Sequence, residues 1–125
     1  MGIKGGAWLG LVVAVSAWLG ASVAFAADGE QIFRRYCMVC HDIEPGKNKL
    51  GPSLAGIVGR KSASVADFSY SDAMQAAGLT WDEQTLDQYL ADPRGKVPGN
   101  KMLFPGVKNA DERKALIDYL KTLKS

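Results

Sequence analysis

The chain has 125 residues, 47% hydrophobic and 22% charged, with two cysteines, one histidine and a formal charge of +2. That length allows one small domain. The near-even charge is not that of a nucleic-acid-binding protein, and beyond the cysteine pair the chain lacks the two further Cys or His ligands that a separate four-ligand zinc site would need, since its one histidine directly follows the pair.

The N-terminus has the pattern of an export signal. Lys4 supplies the positive charge, Ala7 to Ala21 is apolar, and Ala24-Phe25-Ala26 is a small-x-small cleavage site. We expect a signal peptide over 1–26 and a mature domain over 27–125. Gly5 to Ala27 is also uncharged and long enough to span a bilayer, so a retained anchor is the alternative. Either way the domain is expected outside the cytoplasmic membrane, in the periplasm. Removing 1–26 takes Lys4 from the 15 bases and none of the 13 acids, so 14 and 13 remain, formally +1.

Asp28 is placed to cap a helix that runs into the cysteines, with Glu30 in its first turn. Ile32 and Tyr36 form one i,i+4 pair on it, and Phe33 and Cys37 another. Next comes Cys37-Met38-Val39-Cys40-His41, the Cys-x-x-Cys-His signature of c-type haem attachment. On a helix, positions three apart share a side, so both thiols can face one flat object and form thioethers to haem vinyl groups. His41 can then bring an imidazole nitrogen to the iron. A thioredoxin-like pair would need a strand-helix-strand context, which the chain lacks. The cysteines are therefore expected to hold one haem c, and an attached haem adds apolar surface to a domain with little core of its own.

From Asp42 to Gly59 the chain reads as loop, punctuated by Pro45, Gly46, Gly51, Pro52, Gly56 and Gly59. Ser71 to Ala77 reads as a short helix stopped by Gly78. Thr80-Trp81-Asp82-Glu83 reads as a capping box, followed by a helix carrying Leu86, Tyr89 and Leu90 that ends at Pro93. Pro93 to Lys108 reads as a second long loop. Asn109 then caps a final helix with the stripe Leu116, Tyr119, Leu120 and Leu123. No segment alternates like a strand. The expected fold is all-α, with short helices and long loops wrapped around one covalent haem.

The iron's other axial position is open to methionine, lysine, tyrosine, water or nothing. Met1 lies in the signal, Met38 lies between the cysteines, and Met74 sits on a short helix in a core position. Met102, in Pro98-Gly99-Asn100-Lys101-Met102-Leu103-Phe104-Pro105-Gly106, is far enough along the chain to fold back across the ring.

Several segments in order resemble the class I cytochromes c, and most closely their cytochrome c2 and mitochondrial-type branch. They are the haem motif, Leu50-Gly51-Pro52-Ser53-Leu54, Gly59-Arg60-Lys61, Phe68-Ser69-Tyr70-Ser71, Trp81, Tyr89-Leu90, Pro93, Pro98-Gly99-Asn100-Lys101-Met102 and Leu116-Ile117-Asp118-Tyr119-Leu120. The resemblance implies His41 and Met102 as axial ligands, with the Pro52 carbonyl accepting from the other imidazole N–H. It implies that Arg60, Tyr70 and Trp81 donate to a buried haem propionate, with Asn100 standing where a hydroxyl residue often does the same. It puts Tyr89 near the Met102 sulfur and crosses Gly29 and Phe33 with Leu116 and Tyr119. Met74 departs from the family, standing where mitochondrial members often carry asparagine. So does Tyr36, where animal members have lysine.

The implied function is a soluble, monomeric one-electron carrier without substrate turnover, shuttling electrons between respiratory or photosynthetic redox complexes. Lys47, Lys49, Arg94, Lys96, Lys101 and Lys108 would form a basic patch at the haem edge that steers acidic redox partners. Membrane contact would come only through those partners unless the N-terminus is retained. The rival expectation is a haem enzyme or gas sensor with a labile sixth ligand, for which Lys101 beside Met102 offers a replacement donor.

Overall fold

The computed structural model describes residues 1–17, 20 and 27–125. Residues 1–17 have no regular secondary structure, and Trp8, Leu9 and Leu11 are exposed. No helix of the described residues is long and apolar enough to cross a membrane. The expected cleavage site, Ala24-Phe25-Ala26, lies outside the described residues.

From Asp28 onward the chain forms α1 (Gly29–Tyr36), α2 (Asp72–Ala77), α3 (Glu83–Ala91), α4 (Pro93–Lys96) and α5 (Ala110–Leu120). Among the described residues the only β pairing is an isolated antiparallel bridge between Lys61 and Thr80. The all-α expectation stands.

Local chemistry explains most helix ends. The Asp28 carboxylate accepts from Glu30 N–H at 3.0 Å and Gln31 N–H at 3.4 Å, satisfying donors that the first turn of α1 leaves unpaired. Asn109 does the same for α5 through Asp111 and Glu112. The Ser71 hydroxyl caps α2, which ends at Gly78 in the left-handed region (φ 61°). Two boundaries differ from expectation. The cap of α3 is Asp82, whose carboxylate takes the Thr85 N–H at 2.7 Å, while Thr80 is held in the bridge to Lys61. Pro93 does not open a loop but starts the single turn α4, where a missing N–H costs nothing, and Asp92 caps it through Gly95 N–H at 3.1 Å.

The core forms where α1, α3 and α5 meet. Ile32 and Phe33 of α1 pack with Leu86, Tyr89 and Leu90 of α3 and Leu116, Ile117 and Leu120 of α5, joined by Trp81, Val97 and Val107. The α1–α5 crossing is close because position 29 has no side chain. A Cβ there would run into the Ala115 carbonyl oxygen and lie 2.8 Å from Tyr119 Cβ. One turn on, the Phe33 and Tyr119 rings meet in a tilted pair 5.5 Å apart. Arg113 then ties α5 to α3 through Asp87 at 2.8 Å and to the incoming chain through the Val107 carbonyl at 3.0 Å.

This crossing fixes the direction in which α1 delivers the haem motif. Gly29→Ala is expected to lower the stability of the haem-loaded protein by about 1–3 kcal/mol through overpacking. Denaturant unfolding at pH 7 checks it; an unchanged midpoint would mean the helices are not in close contact.

Candidate functional site

The two cysteines do not lie on a helix as expected. α1 ends at Tyr36, and the motif forms a turn: Cys37 N–H returns to the Phe33 carbonyl at 2.8 Å, as does Met38 N–H at 3.0 Å. Cys40 N–H (3.1 Å) and His41 N–H (2.9 Å) both bond to the Cys37 carbonyl. These i→i+3 and i→i+4 bonds preserve a helix-like wind, so the three-residue spacing still serves both thiols. Cys37 and Cys40 are half-buried and not bonded to each other. Burial, with the Cys40 thiol adjacent, pushes the Cys37 thiol up to about 11. That is opposite to the lowered value of a reactive redox pair.

His41 is held in one tautomer. Its Nδ1 lies 2.7 Å from the Pro52 carbonyl oxygen. A carbonyl only accepts, so Nδ1 carries the proton and Nε2 keeps its lone pair for a metal. Burial lowers the His41 pKa, the bond to Pro52 opposes this, and the net direction is downward, favouring a neutral imidazole. Sequence reasoning missed how tightly the ring is seated. A Cβ on Gly51 would stand 2.7 Å from His41 Nδ1 and 2.9 Å from Nε2. Glycine beside the Pro52 acceptor was the available signal.

The loop carrying Pro52 is braced from within. The buried Ser53 donates its hydroxyl to the Glu44 carbonyl at 2.6 Å, and its N–H goes to Asn48 Oδ1 at 3.0 Å. Arg60 reaches back to the Ala55 carbonyl at 2.8 Å and the Ser53 carbonyl at 3.1 Å. Its Nε is the one buried side-chain N or O without a hydrogen-bond partner among the described residues, and no carboxylate pairs with it. A half-buried guanidinium with an orphaned donor calls for an anion that the polypeptide does not supply. A haem propionate fits that need, and the thiols and the free His41 Nε2 fit the rest of the group.

The other expected propionate donors differ in what they have to offer. The Tyr70 hydroxyl accepts from Val65 N–H at 3.1 Å, which leaves its own hydrogen uncommitted. Trp81 is buried against Tyr89, ring centroids 4.9 Å apart, and its indole N–H bonds to no protein group among the described residues. Asn100 does not match the expectation. Both of its amide hydrogens are already committed, to the Pro93 carbonyl at 2.9 Å and the Val97 carbonyl at 2.8 Å, so neither remains for a propionate.

Met102 is half-buried, and its sulfur receives the Tyr89 hydroxyl at 3.8 Å. Burial pushes that hydroxyl up to about 12, keeping it a neutral donor. Among the described residues no group of three or more His, Cys, Asp or Glu side chains could hold a different metal.

Of the six expected patch cations, four have partners. Lys47 pairs with Glu44 at 2.5 Å, and Lys49 reaches the Met38 carbonyl at 3.1 Å. Lys96 reaches Gln88 at 2.7 Å, and Lys108 the Ala91 carbonyl at 2.6 Å. Arg94 and Lys101 are exposed and make no such contact among the described residues. Three apolar side chains next to site residues in the sequence are also exposed: Val39 inside the motif, Leu50 before Gly51 and Leu103 after Met102. Sequence reasoning did not single these out.

The Cytochrome c family model matches residues 26–124. The chain belongs to the cytochrome c family. It is 58% identical over 88 residues to cytochrome c2 iso-2 of Magnetospirillum molischianum, covering 70% of this chain and 91% of the relative. It is 46% identical over 113 residues to cytochrome c2 of Blastochloris viridis, covering 90% and 88%. Among solved structures it is similar to cytochrome cH from Methylobacterium extorquens, with a TM-score of 0.72, 49% identity, and coverage of 78% of this chain and 97% of that one. These matches place it in the class I, cytochrome c2-type branch. It therefore holds one haem c through Cys37 and Cys40, and it is an electron carrier with redox partners, not an enzyme.

One contact is specific to the departure at position 36. The Tyr36 ring lies 5.7 Å from the Phe104 ring, with the Arg35 guanidinium 5.6 Å from the Tyr36 centroid. It joins the end of α1 to the Met102 segment. In a double-mutant cycle, Tyr36→Ala and Phe104→Ala are expected to couple by about 0.5–1.5 kcal/mol in unfolding free energy. Strict additivity would show that the ring pair contributes nothing.

Proposed function

We propose that this cytochrome is a periplasmic, monomeric one-electron carrier with His41 and Met102 as axial ligands, residues 1–26 serving as its export signal and 27–125 as its working domain. The observation that carries this is the Met102 sulfur beneath the Tyr89 hydroxyl. A thioether sulfur has two lone pairs; the hydroxyl proton engages one and the other is left for iron. On the opposite side the Pro52 carbonyl leaves His41 with a bare Nε2. The bound haem iron supplies the one-electron oxidation and reduction, and a His/Met pair in an apolar setting favours the reduced state.

The chain's own residues keep that change small in nuclear movement. The Pro52 carbonyl fixes the orientation of the His41 ring, and the absent side chain at Gly51 leaves it the space to sit there. Tyr89, itself packed on Trp81, orients the methionine. Arg60, Tyr70 and Trp81 supply donors for a propionate that would otherwise be a costly buried charge. Each ligand is braced by groups that need not rearrange with oxidation state. This favours a carrier over an enzyme or sensor with an open site.

Docking on redox partners is assigned to the exposed apolar Leu50, Val39 and Leu103, with Lys49, Lys101 and Arg94 steering approach. The unengaged Lys101 and Arg94 carry more of that role than Lys47, which Glu44 neutralises. The periplasmic assignment rests on the N-terminal sequence pattern and on the family match beginning at residue 26.

Two measurements test the proposal. Met102→Ala should abolish the weak near-infrared sulfur-to-iron band of the ferric protein, lower the potential and let the ferrous form bind CO rapidly; an unchanged band would remove Met102 as ligand. The association rate with an acidic redox partner should fall roughly tenfold or more as salt rises from about 0.01 M to about 1 M, because the screening length shrinks from about 30 Å to about 3 Å. A salt-independent rate would remove the steering role.

A further inference from the structure

The segment carrying Met102 is fastened, two residues ahead of the methionine, by a single side chain. Asn100 is half-buried and follows the short helix α4. Its Nδ2 donates to the Pro93 and Val97 carbonyls, at 2.9 and 2.8 Å, and its Oδ1 accepts from the Met102 N–H at 2.9 Å. A carboxamide has two N–H hydrogens and an acceptor oxygen, and all three functions are in use.

The far end of this strap is anchored in the core. Pro93 and Val97 are both buried in the core. α4 is also tied at its start by Asp92, whose carboxylate caps Gly95. Both carbonyls also accept backbone N–H groups, Pro93 from Val97 at 2.9 Å and Val97 from Asn100 at 3.2 Å, and the Asn100 amide engages the second lone pair of each. One side chain thus connects the backbone of Met102 to a turn whose two ends, Pro93 and Val97, are buried.

We propose that Asn100 is a positioning residue for Met102, holding its backbone at the height from which the sulfur reaches iron, and that it does not serve a haem propionate. The proposal rests on Met102 being a ligand. The chemistry accounts for this residue type. Threonine has one hydroxyl hydrogen and could satisfy one carbonyl. Aspartate keeps the acceptor for Met102 but places a carboxylate beside two carbonyl oxygens. Alanine loses all three bonds, leaving the Met102 N–H unpaired and the Pro93 and Val97 carbonyls with only their backbone donors.

The test is imidazole binding to the ferric, haem-loaded protein, followed through the near-infrared sulfur-to-iron band. Imidazole must displace Met102, so its apparent affinity reports how readily the segment opens. Asn100→Ala is expected to tighten imidazole binding about tenfold. Asn100→Asp should tighten it at least as much, and Asn100→Thr by an intermediate factor. Asn109→Ala removes the α5 cap and lowers global stability without touching the strap, so its imidazole affinity should match wild type. If Asn100→Ala binds imidazole as wild type does, or if Asn109→Ala tightens binding equally, the positioning role is overturned. A wild-type ferric protein with no near-infrared band would instead overturn Met102 ligation, and is seen before any variant is made.

Discussion

The hydrogen bond from His41 Nδ1 to the Pro52 carbonyl, 2.7 Å long, is the contact on which the geometry of the site turns. It decides which imidazole nitrogen is bare and which way the ring faces. It can form only if a loop starting at Asp42 returns to lie beside the residue it left. The absent side chain at Gly51 makes room for that return. Ser53, Asn48 and Arg60 keep the loop there by bonding its carbonyls and amides to one another. On the other side, α1 leads directly into the turn that holds the cysteines and is itself aimed by its crossing with α5. The terminal helices and one internal loop therefore cooperate to place a single ring.

The second half of the chain is arranged around the Met102 sulfur. α3 brings Tyr89, α4 offers the carbonyls that Asn100 grips, and the segment returns to α3 through Val107 N–H on the Leu90 carbonyl at 2.7 Å. Two brace systems drawn from different parts of the sequence thus hold the two proposed ligands, and in the proposed ligation the flat group attached at Cys37 and Cys40 would lie between them. Arg60 shows the incompleteness of the polypeptide alone: its buried Nε has no partner. A chain that supplies a cation without its anion is built for a group that brings one.

Much of this was legible in the sequence because its determinants are local. Asp28, Ser71 and Asn109 cap the helices they precede, Gly78 ends α2, and Cys-x-x-Cys-His needs only adjacency. The departures share a physical cause in longer-range contacts. Thr80 has the composition of a cap, but the bridge to Lys61 draws it away and leaves the role to Asp82. Pro93 reads as a stop because proline ends one helix; that it also starts another depends on Asp92. The role of Asn100 could not be read from its position in a family pattern, since it depends on where the Pro93 and Val97 carbonyls point. Gly51 was visible as punctuation, but its value lies in an imidazole ten residues earlier. The exposure of Leu50 and Leu103 is not legible in the sequence, because apolar residues are expected inside.

The central claim is that His41 and Met102 occupy opposite faces of one ring system. Proton NMR of the reduced, diamagnetic protein tests it most directly. A methionine methyl held against a haem face lies in the ring-current shielding cone. The account predicts one three-proton singlet far upfield of every other methyl, lost in Met102→Ala and retained in Met74→Leu. A spectrum with no such singlet, or one that survives Met102→Ala, would contradict it.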